Sequence, residues 1–264
     1  MNIKFLGTGS GVTLLHRFHS SFLITSSNYN LLVDCGDGIS KAILSQNIEY
    51  NSIDSILISH FHADHYSGLP SLITQMKIDK RKKDISIFVH SSEKDFLEDF
   101  ILHSYLFKER MTFDLRIVPF NEENEIIINN KFRFVSKINS HLNKYKKHNK
   151  ENKLGCVSLS FLFKDDENSC IYTGDVADVA DLGEELDLFL FNQKVDWFIS
   201  EVTHISLNSL ITVLQNLDPR KIILTHIDDA TEEVVKVFLK SILRSVERER
   251  FITAFDGLEL NQST

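Results

Sequence analysis

The chain has 264 residues, 42% hydrophobic and 25% charged, the composition of a folded globular protein and not of a disordered or fibrous one. Its formal net charge of −8 argues against a protein whose main business is gripping nucleic acid nonspecifically through a basic face. The three cysteines, Cys35, Cys156 and Cys170, form an odd set with no C-x-x-C pair, so neither a disulfide framework nor a cysteine zinc site is expected, and a reducing cytoplasm fits best.

Met1-Asn2-Ile3-Lys4-Phe5-Leu6 is too short an apolar run for a signal peptide, and no stretch approaches the ~18 apolar residues of a membrane span. Short strands are predicted at Ile3 to Leu6, Ser21 to Thr25, Leu31 to Asp34 and Ser55 to Ser59, each bounded by turn residues. Helix-compatible apolar spacing follows at Lys41 to Gln46 and Gly68 to Met76, then a strand at Ile85 to His90 and a longer amphipathic helix, capped by serine, over Ser91 to Phe107. Further strands are predicted at Leu115 to Val118, Ile126 to Ile128, Phe132 to Ile138, Val157 to Phe163, Ser169 to Thr173, Trp197 to Glu201 and Ile222 to Thr225, with helices at Ser206 to Leu217 and Glu232 to Arg248. Two strand-rich halves that each contribute helices predict an α/β protein of two packed mixed sheets flanked by helices, an αββα sandwich. No repeat, linker or composition break divides it, so a single domain over residues 1–264 is expected.

The chemistry is concentrated in Ser59-His60-Phe61-His62-Ala63-Asp64-His65, where an apolar strand runs out into a loop. Imidazole nitrogen and carboxylate oxygen are the donors that borderline metals such as zinc prefer, at ~2.0 to 2.2 Å, and four of them within six residues can be divided between two adjacent ions.

H-x-H-x-D-H after an apolar strand resembles the signature of the metallo-β-lactamase superfamily. The opening Phe5-Leu6-Gly7-Thr8-Gly9-Ser10-Gly11, then Ser20-Ser21-Phe22-Leu23-Ile24, then Leu32-Val33-Asp34-Cys35-Gly36-Asp37-Gly38, is similar to the start of its phosphodiesterase branch, which includes ribonuclease Z, phosphoribosyl cyclic phosphodiesterases and anti-Pycsar cyclic-nucleotide phosphodiesterases. The resemblance implies the metallo-β-lactamase sandwich and a hydrolase with two divalent transition-metal ions, zinc foremost, with manganese or iron also compatible. It assigns His60, His62 and His141 to one ion, Asp64, His65 and His226 to the other, and Asp175 as the bridge, with Asp34 behind the cluster orienting a ligand or loop. His148, seven residues after His141 in the same loop, is the rival for the third histidine. Two cations ~3.5 to 4 Å apart share a water and depress its pKa toward neutrality, so a metal-bridging hydroxide is the expected nucleophile. Asp64 is expected to act both as ligand and as the group that orients and deprotonates that nucleophile.

His204, in Glu201-Val202-Thr203-His204-Ile205-Ser206, resembles the non-ligand histidine of the phosphodiesterase members. It is the candidate general acid or phosphate-binding group, held in position by Glu201. Two basic stretches remain. Lys80-Arg81-Lys82-Lys83 reads as a solvated turn, whereas Lys144-Tyr145-Lys146-Lys147 with Lys150 and Lys153 starts beside His141 and reads either as a substrate lid or as a solvated loop.

The expected activity is hydrolysis of a small cyclic or nucleotide-type phosphodiester. Ribonuclease Z-like cleavage of RNA is the runner-up, because the charge is negative and no glycine- and proline-rich arm stands between His65 and His141. A thioester or lactam hydrolase would use the same ions without needing His204, and a catalytically silent metal- or ligand-binding protein is disfavoured because no expected ligand is missing. The resemblance also implies a homodimer.

Overall fold

The computed structural model describes residues 1–151, 153–177, 186, 195–241 and 248–261. Two compact units emerge: one built from Met1–Asn121 with the described residues of Asn152–Gly155 and Phe255–Thr264, the other from Glu122–Glu151 and the described residues of Cys156–Ala254.

The first unit carries strands β1 (Asn2–Gly7), β2 (Ser21–Ser26), β3 (Tyr29–Val33), β4 (Ser55–Leu57), β5 (Ile85–His90), β6 (Leu115–Phe120) and β14 (Glu259–Leu260). They form one mixed sheet in the order β14-β1-β2-β3-β4-β5-β6. Helices α1 (Ile39–Ser45), α2 (Ala63–Tyr66), α3 (Leu69–Ile78) and α4 (Lys94–His103) connect them. Alternate residues Ile85, Ile87 and Val89 of β5 join Leu32, Ile56, Ile43, Leu72, Ile73, Met76 and Leu97 in one buried cluster, so the period of two in the strand meets the helices' apolar faces. Each fully buried aliphatic side chain there contributes about 1.5–3 kcal/mol.

The second unit holds β7 (Ile126–Ile127), β8 (Arg133–Asn139), β9 (Ser158–Lys164), β10 (Ser169–Tyr172), β11 (Trp197–Glu201), β12 (Lys221–Thr225) and β13 (Phe251–Thr253), in the order β13-β12-β11-β10-β9-β8-β7. Its helices are α5 (Asn143–Lys146), α6 (Ser209–Leu217) and α7 (Asp229–Ser241). β10 to β13 run parallel, while β7 to β10 pair antiparallel. Leu210, Val213 and Leu217 of α6 and Val235 and Phe238 of α7 bury against Phe198, Ile222, Leu224 and Phe251.

Three sequence expectations change. The helix expected over Ser91 to Phe107 is a 3-10 turn at Ser91–Glu93 followed by α4, which stops at His103. Tyr105 takes a left-handed φ of 58°, and Leu106 N–H reaches back to the Ile101 carbonyl at 3.3 Å, a closure that ends a helix. The helix expected from Ser206 begins instead at Ser209 as α6, so His204 lies in the loop after β11. The helix expected over Glu232 to Arg248 is seen from Asp229 to Ser241, and residues 242–247 lie outside the described set.

The basic run at 80–83 is not a simple solvated turn either. Lys80 and Lys82 are exposed, but Arg81 is 1% exposed. Its guanidinium donates to the carbonyls of Asn51, Ile53, Lys83 and Asp84 at 2.5–3.2 Å, and Lys83 pairs with Asp54. A rigid fork of five donors suits this task of gathering loop carbonyls. Among the described residues, no helix is long and apolar enough to cross a membrane.

Candidate metal centre

In the first unit, β4 hands the chain to His60, and the short helix α2 then carries Asp64 and His65. His60 and His65 are buried, with ring centroids 4.1 Å apart, and His62 lies 4.8 Å from His60. The loop after β3 closes against this turn. A methyl group on Gly36 would lie 2.1 Å from the Asp64 carbonyl oxygen and one on Gly68 would lie 2.2 Å from that of Gly36, so only glycine admits the approach. The opening glycine-rich loop also runs beside Asp64, since a methyl on Gly11 would stand 3.5 Å from its carboxylate.

Asp34, fully buried with φ 60°, organises these side chains. One carboxylate oxygen accepts from Ser59 N–H at 2.8 Å; the other accepts from the Ser59 hydroxyl at 2.9 Å and from His65 Nδ1 at 2.8 Å. The Ser59 hydroxyl lies 3.1 Å from His60 Nδ1. With its proton on Nδ1, His65 turns the Nε2 lone pair toward Asp64, whose Oδ2 stands 3.5 Å away. Carboxylate support behind an imidazole is the usual way a metal-binding histidine is fixed in tautomer and orientation.

In the second unit the loops after β8, β10, β11 and β12 supply the side chains. Asn139 holds the first loop, accepting from His141 N–H at 3.2 Å while donating to Ser160 and to the Thr173 carbonyl. His141 is buried, and its Nδ1 faces the Val176 carbonyl at 3.3 Å. A carbonyl only accepts, so Nδ1 carries the proton and Nε2 offers a lone pair. That Nε2 lies 3.7 Å from Asp175 Oδ2, and His226 Nε2 lies 3.3 Å from the same oxygen. Gly174 makes the turn that presents Asp175: its φ is +58°, and a methyl there would sit 2.3 Å from the Leu159 carbonyl oxygen.

His204 faces the same Asp175 oxygen, with its ring 4.9 Å from that of His141, and with Glu201 and His226 it makes a third group of possible metal donors. Its Nδ1 is 3.9 Å from Asp175 Oδ2 and 3.5 Å from Glu201 Oε2 and makes no hydrogen bond; its side chain is 31% exposed. Glu201, fully buried at the end of β11, accepts from the backbone N–H groups of Thr203 and His204 at 2.7 and 2.9 Å. The carboxylate therefore fixes the loop that carries the imidazole.

Lone pairs and carboxylate oxygens that face one another at 3.3–3.7 Å repel unless a cation or proton lies between them. Imidazole and carboxylate are also the donor types of zinc, manganese and iron sites. The residues of each unit thus fit the metal role expected of them: His60, His62, Asp64 and His65 in one, His141, Asp175 and His226 in the other. His148 is exposed, unlike His141. Ser59, Asn139 and Asp256 carry no recognisable functional signal in the sequence. The last of these binds Thr8 and the Phe18 N–H at 2.7–2.9 Å and so holds the opening loop. A hydroxyl relay or a contact across 248 residues leaves no periodic signal to find.

The structure is similar over its whole length to proteins of one class. The short form of human tRNase Z matches with a TM-score of 0.71 and 20% identity over 99% of each chain. The metallo-β-lactamase fold protein YhfI from Bacillus subtilis matches with a TM-score of 0.73 and 16% identity over 98% of each. The fold is therefore the metallo-β-lactamase fold. The anti-Pycsar protein Apyc1 family matches residues 1–248, and the chain belongs to that family. Ribonuclease Z of Prochlorococcus marinus (strain MIT 9301) is 35% identical over 135 residues, 49% of this chain. The match spans 42% of that relative's length.

Proposed function

We propose that the chain is one hydrolase domain over residues 1–264, a metal-dependent phosphodiesterase acting on a small cyclic or nucleotide-type phosphodiester. In this reading His60, His62, Asp64 and His65 act with His141, Asp175 and His226 to hold two divalent transition-metal ions, zinc first. Ions so held would supply a nucleophile at neutral pH and stabilise charge on the phosphoryl oxygens. Asp64 serves as ligand, and its free oxygen orients the attacking water.

The observation that carries the reading is His204, an imidazole 3.9 Å from Asp175 with a half-open face and an Nδ1 that makes no hydrogen bond. Cleavage of a phosphodiester expels an alkoxide, which needs a proton, and an imidazole at the site supplies one. A thioester or lactam hydrolase has no comparable need. Glu201 is a positioning residue, because its hydrogen bonds go to the backbone of residues 203 and 204. Membership of the anti-Pycsar family favours a cyclic nucleotide. The likeness to ribonuclease Z keeps RNA as a second reading, and resemblance to the superfamily suggests a homodimer.

The test is a substrate screen on metal-loaded protein with cyclic mononucleotides, ribose cyclic phosphates and a tRNA precursor. Cleavage of a cyclic or small nucleotide diester supports the proposal; cleavage of the precursor alone moves the assignment to RNA; hydrolysis of thioesters only removes it.

A further inference from the structure

Beside His204 the second unit opens a cavity of about 580 Å³, lined by Ser140, His141, Asn143, Lys144, Thr203 and His204 among others. That is within the roughly 300–1,000 Å³ usual for small-molecule sites. Its walls come from the loops after β8 and β11, which carry His141 and His204, with Ala177 added from the loop after β10. Among the described residues no carboxylate lines it, and Lys144 is the one ammonium group that does. A second cavity in the same unit, of about 680 Å³ between α6 and α7, is lined by Glu233 and, among the described residues, by no cation. The first is therefore the one whose charge suits an anion.

Lys144 also differs from its neighbours. Among the described residues its ammonium has no carboxylate partner; it sits 5.2 Å from the centre of the Tyr145 ring. Lys146, Lys147, Lys150 and Lys153 follow in the same loop, yet none of them lines the cavity. In a chain of net charge −8, an unpaired cation at a cavity mouth is a local attraction for an anion that the overall field repels.

We propose that Lys144 is the substrate-binding residue that holds a non-bridging phosphate oxygen of the diester at the mouth of this cavity, and that the rest of the nucleotide occupies the cavity. The inference rests on the proposed phosphodiesterase activity and goes beyond it by naming the cation and the space. A single ammonium that touches the phosphate equally before and during reaction gives uniform binding, so its loss raises KM and leaves kcat near its normal value.

The experiment measures kcat and KM for a cyclic mononucleotide, and the binding of AMP and adenosine by calorimetry, on metal-loaded wild type, Lys144→Ala, Lys144→Arg and Lys147→Ala. Expected for Lys144→Ala are unchanged metal content, a KM increase of about tenfold or more, as befits a lost charge-assisted hydrogen bond, and weakened AMP but not adenosine binding. Lys144→Arg should recover most of the affinity, and Lys147→Ala should match wild type. Equal effects of the Lys144 and Lys147 variants would show a diffuse loop field and overturn the assignment, as would a Lys144→Ala enzyme with normal KM or one that loses metal. A wild type that binds AMP through Lys144 but cleaves no phosphodiester would sink the proposed function while leaving the anion site standing. A wild type that cleaves the diester indifferently to Lys144 would do the reverse.

Discussion

Asp34 and His65 meet through a 2.8 Å hydrogen bond between a carboxylate oxygen and Nδ1, with both side chains essentially excluded from solvent. The contact joins the end of β3 to α2 and leaves His65 Nε2 facing Asp64. Asp34 also holds Ser59, the residue in front of His60. One carboxylate thus sets two imidazoles, one directly and one through a hydroxyl.

Asp34→Asn should accordingly weaken metal binding without unfolding the protein. Asparagine tolerates the left-handed φ and can still accept from Ser59 N–H, but it cannot supply the negative charge behind His65. Affinity for zinc should fall about 10- to 100-fold, as read by competition with a chromogenic chelator, while the circular dichroism spectrum is kept. Unchanged affinity would show that His65 is not a ligand oriented from behind.

His204→Ala should keep its metal and lose rate. Removal of a general acid slows the reaction about 10²- to 10⁴-fold, and the loss should be smaller for bis(p-nitrophenyl) phosphate, whose leaving group needs little protonation, than for a cyclic nucleotide. Elemental analysis and steady-state kinetics on both substrates decide it. Equal rates for mutant and wild type on both, or loss of metal, would remove His204 from the acid role.

The legibility of these features in the sequence differed by kind. H-x-H-x-D-H was readable because four donors within one short turn after an apolar strand is a dense local pattern, and Asp34 stood out within its Asp-Cys-Gly-Asp-Gly run. Most strand positions are readable from their apolar runs, but β13 and β14, at three and two residues, are not among the expected strands. Arg81 is not legible in the sequence, because a buried guanidinium inside Lys-Arg-Lys-Lys has the same local composition as a solvated turn. What separates it is the set of carbonyls that converge on it from residues 51, 53, 83 and 84.

Arg81→Ala is therefore expected to destabilise the fold and not the chemistry. One carbonyl loses its donor in a buried setting and three in part-buried ones, at about 1–3 kcal/mol for a group left unsatisfied away from water, so a loss of roughly 2 kcal/mol or more should appear in urea unfolding. A change below about 1 kcal/mol would mean that water replaces the guanidinium at little cost.

The thiols provide a check on packing. Cys35 and Cys170 are fully buried, and burial pushes both thiols well above the ordinary cysteine pKa. The thiolate is the reactive form, so neither should react with a thiol reagent at pH 8 until the protein unfolds. Rapid labelling of either in the native state, located by peptide mass mapping, would contradict this packing.

Elemental analysis paired with hydrolysis of bis(p-nitrophenyl) phosphate tests the proposed metal-dependent phosphodiesterase, in which Asp175 is shared between two ions. Wild type should bind close to two transition-metal ions per chain, lose activity to a chelator and regain it with zinc or manganese. Asp175→Ala, which removes the carboxylate facing both His141 and His226, should lose metal and activity together. A well-folded wild type that binds no metal, or an Asp175→Ala protein that retains both ions and full hydrolysis, would contradict the account.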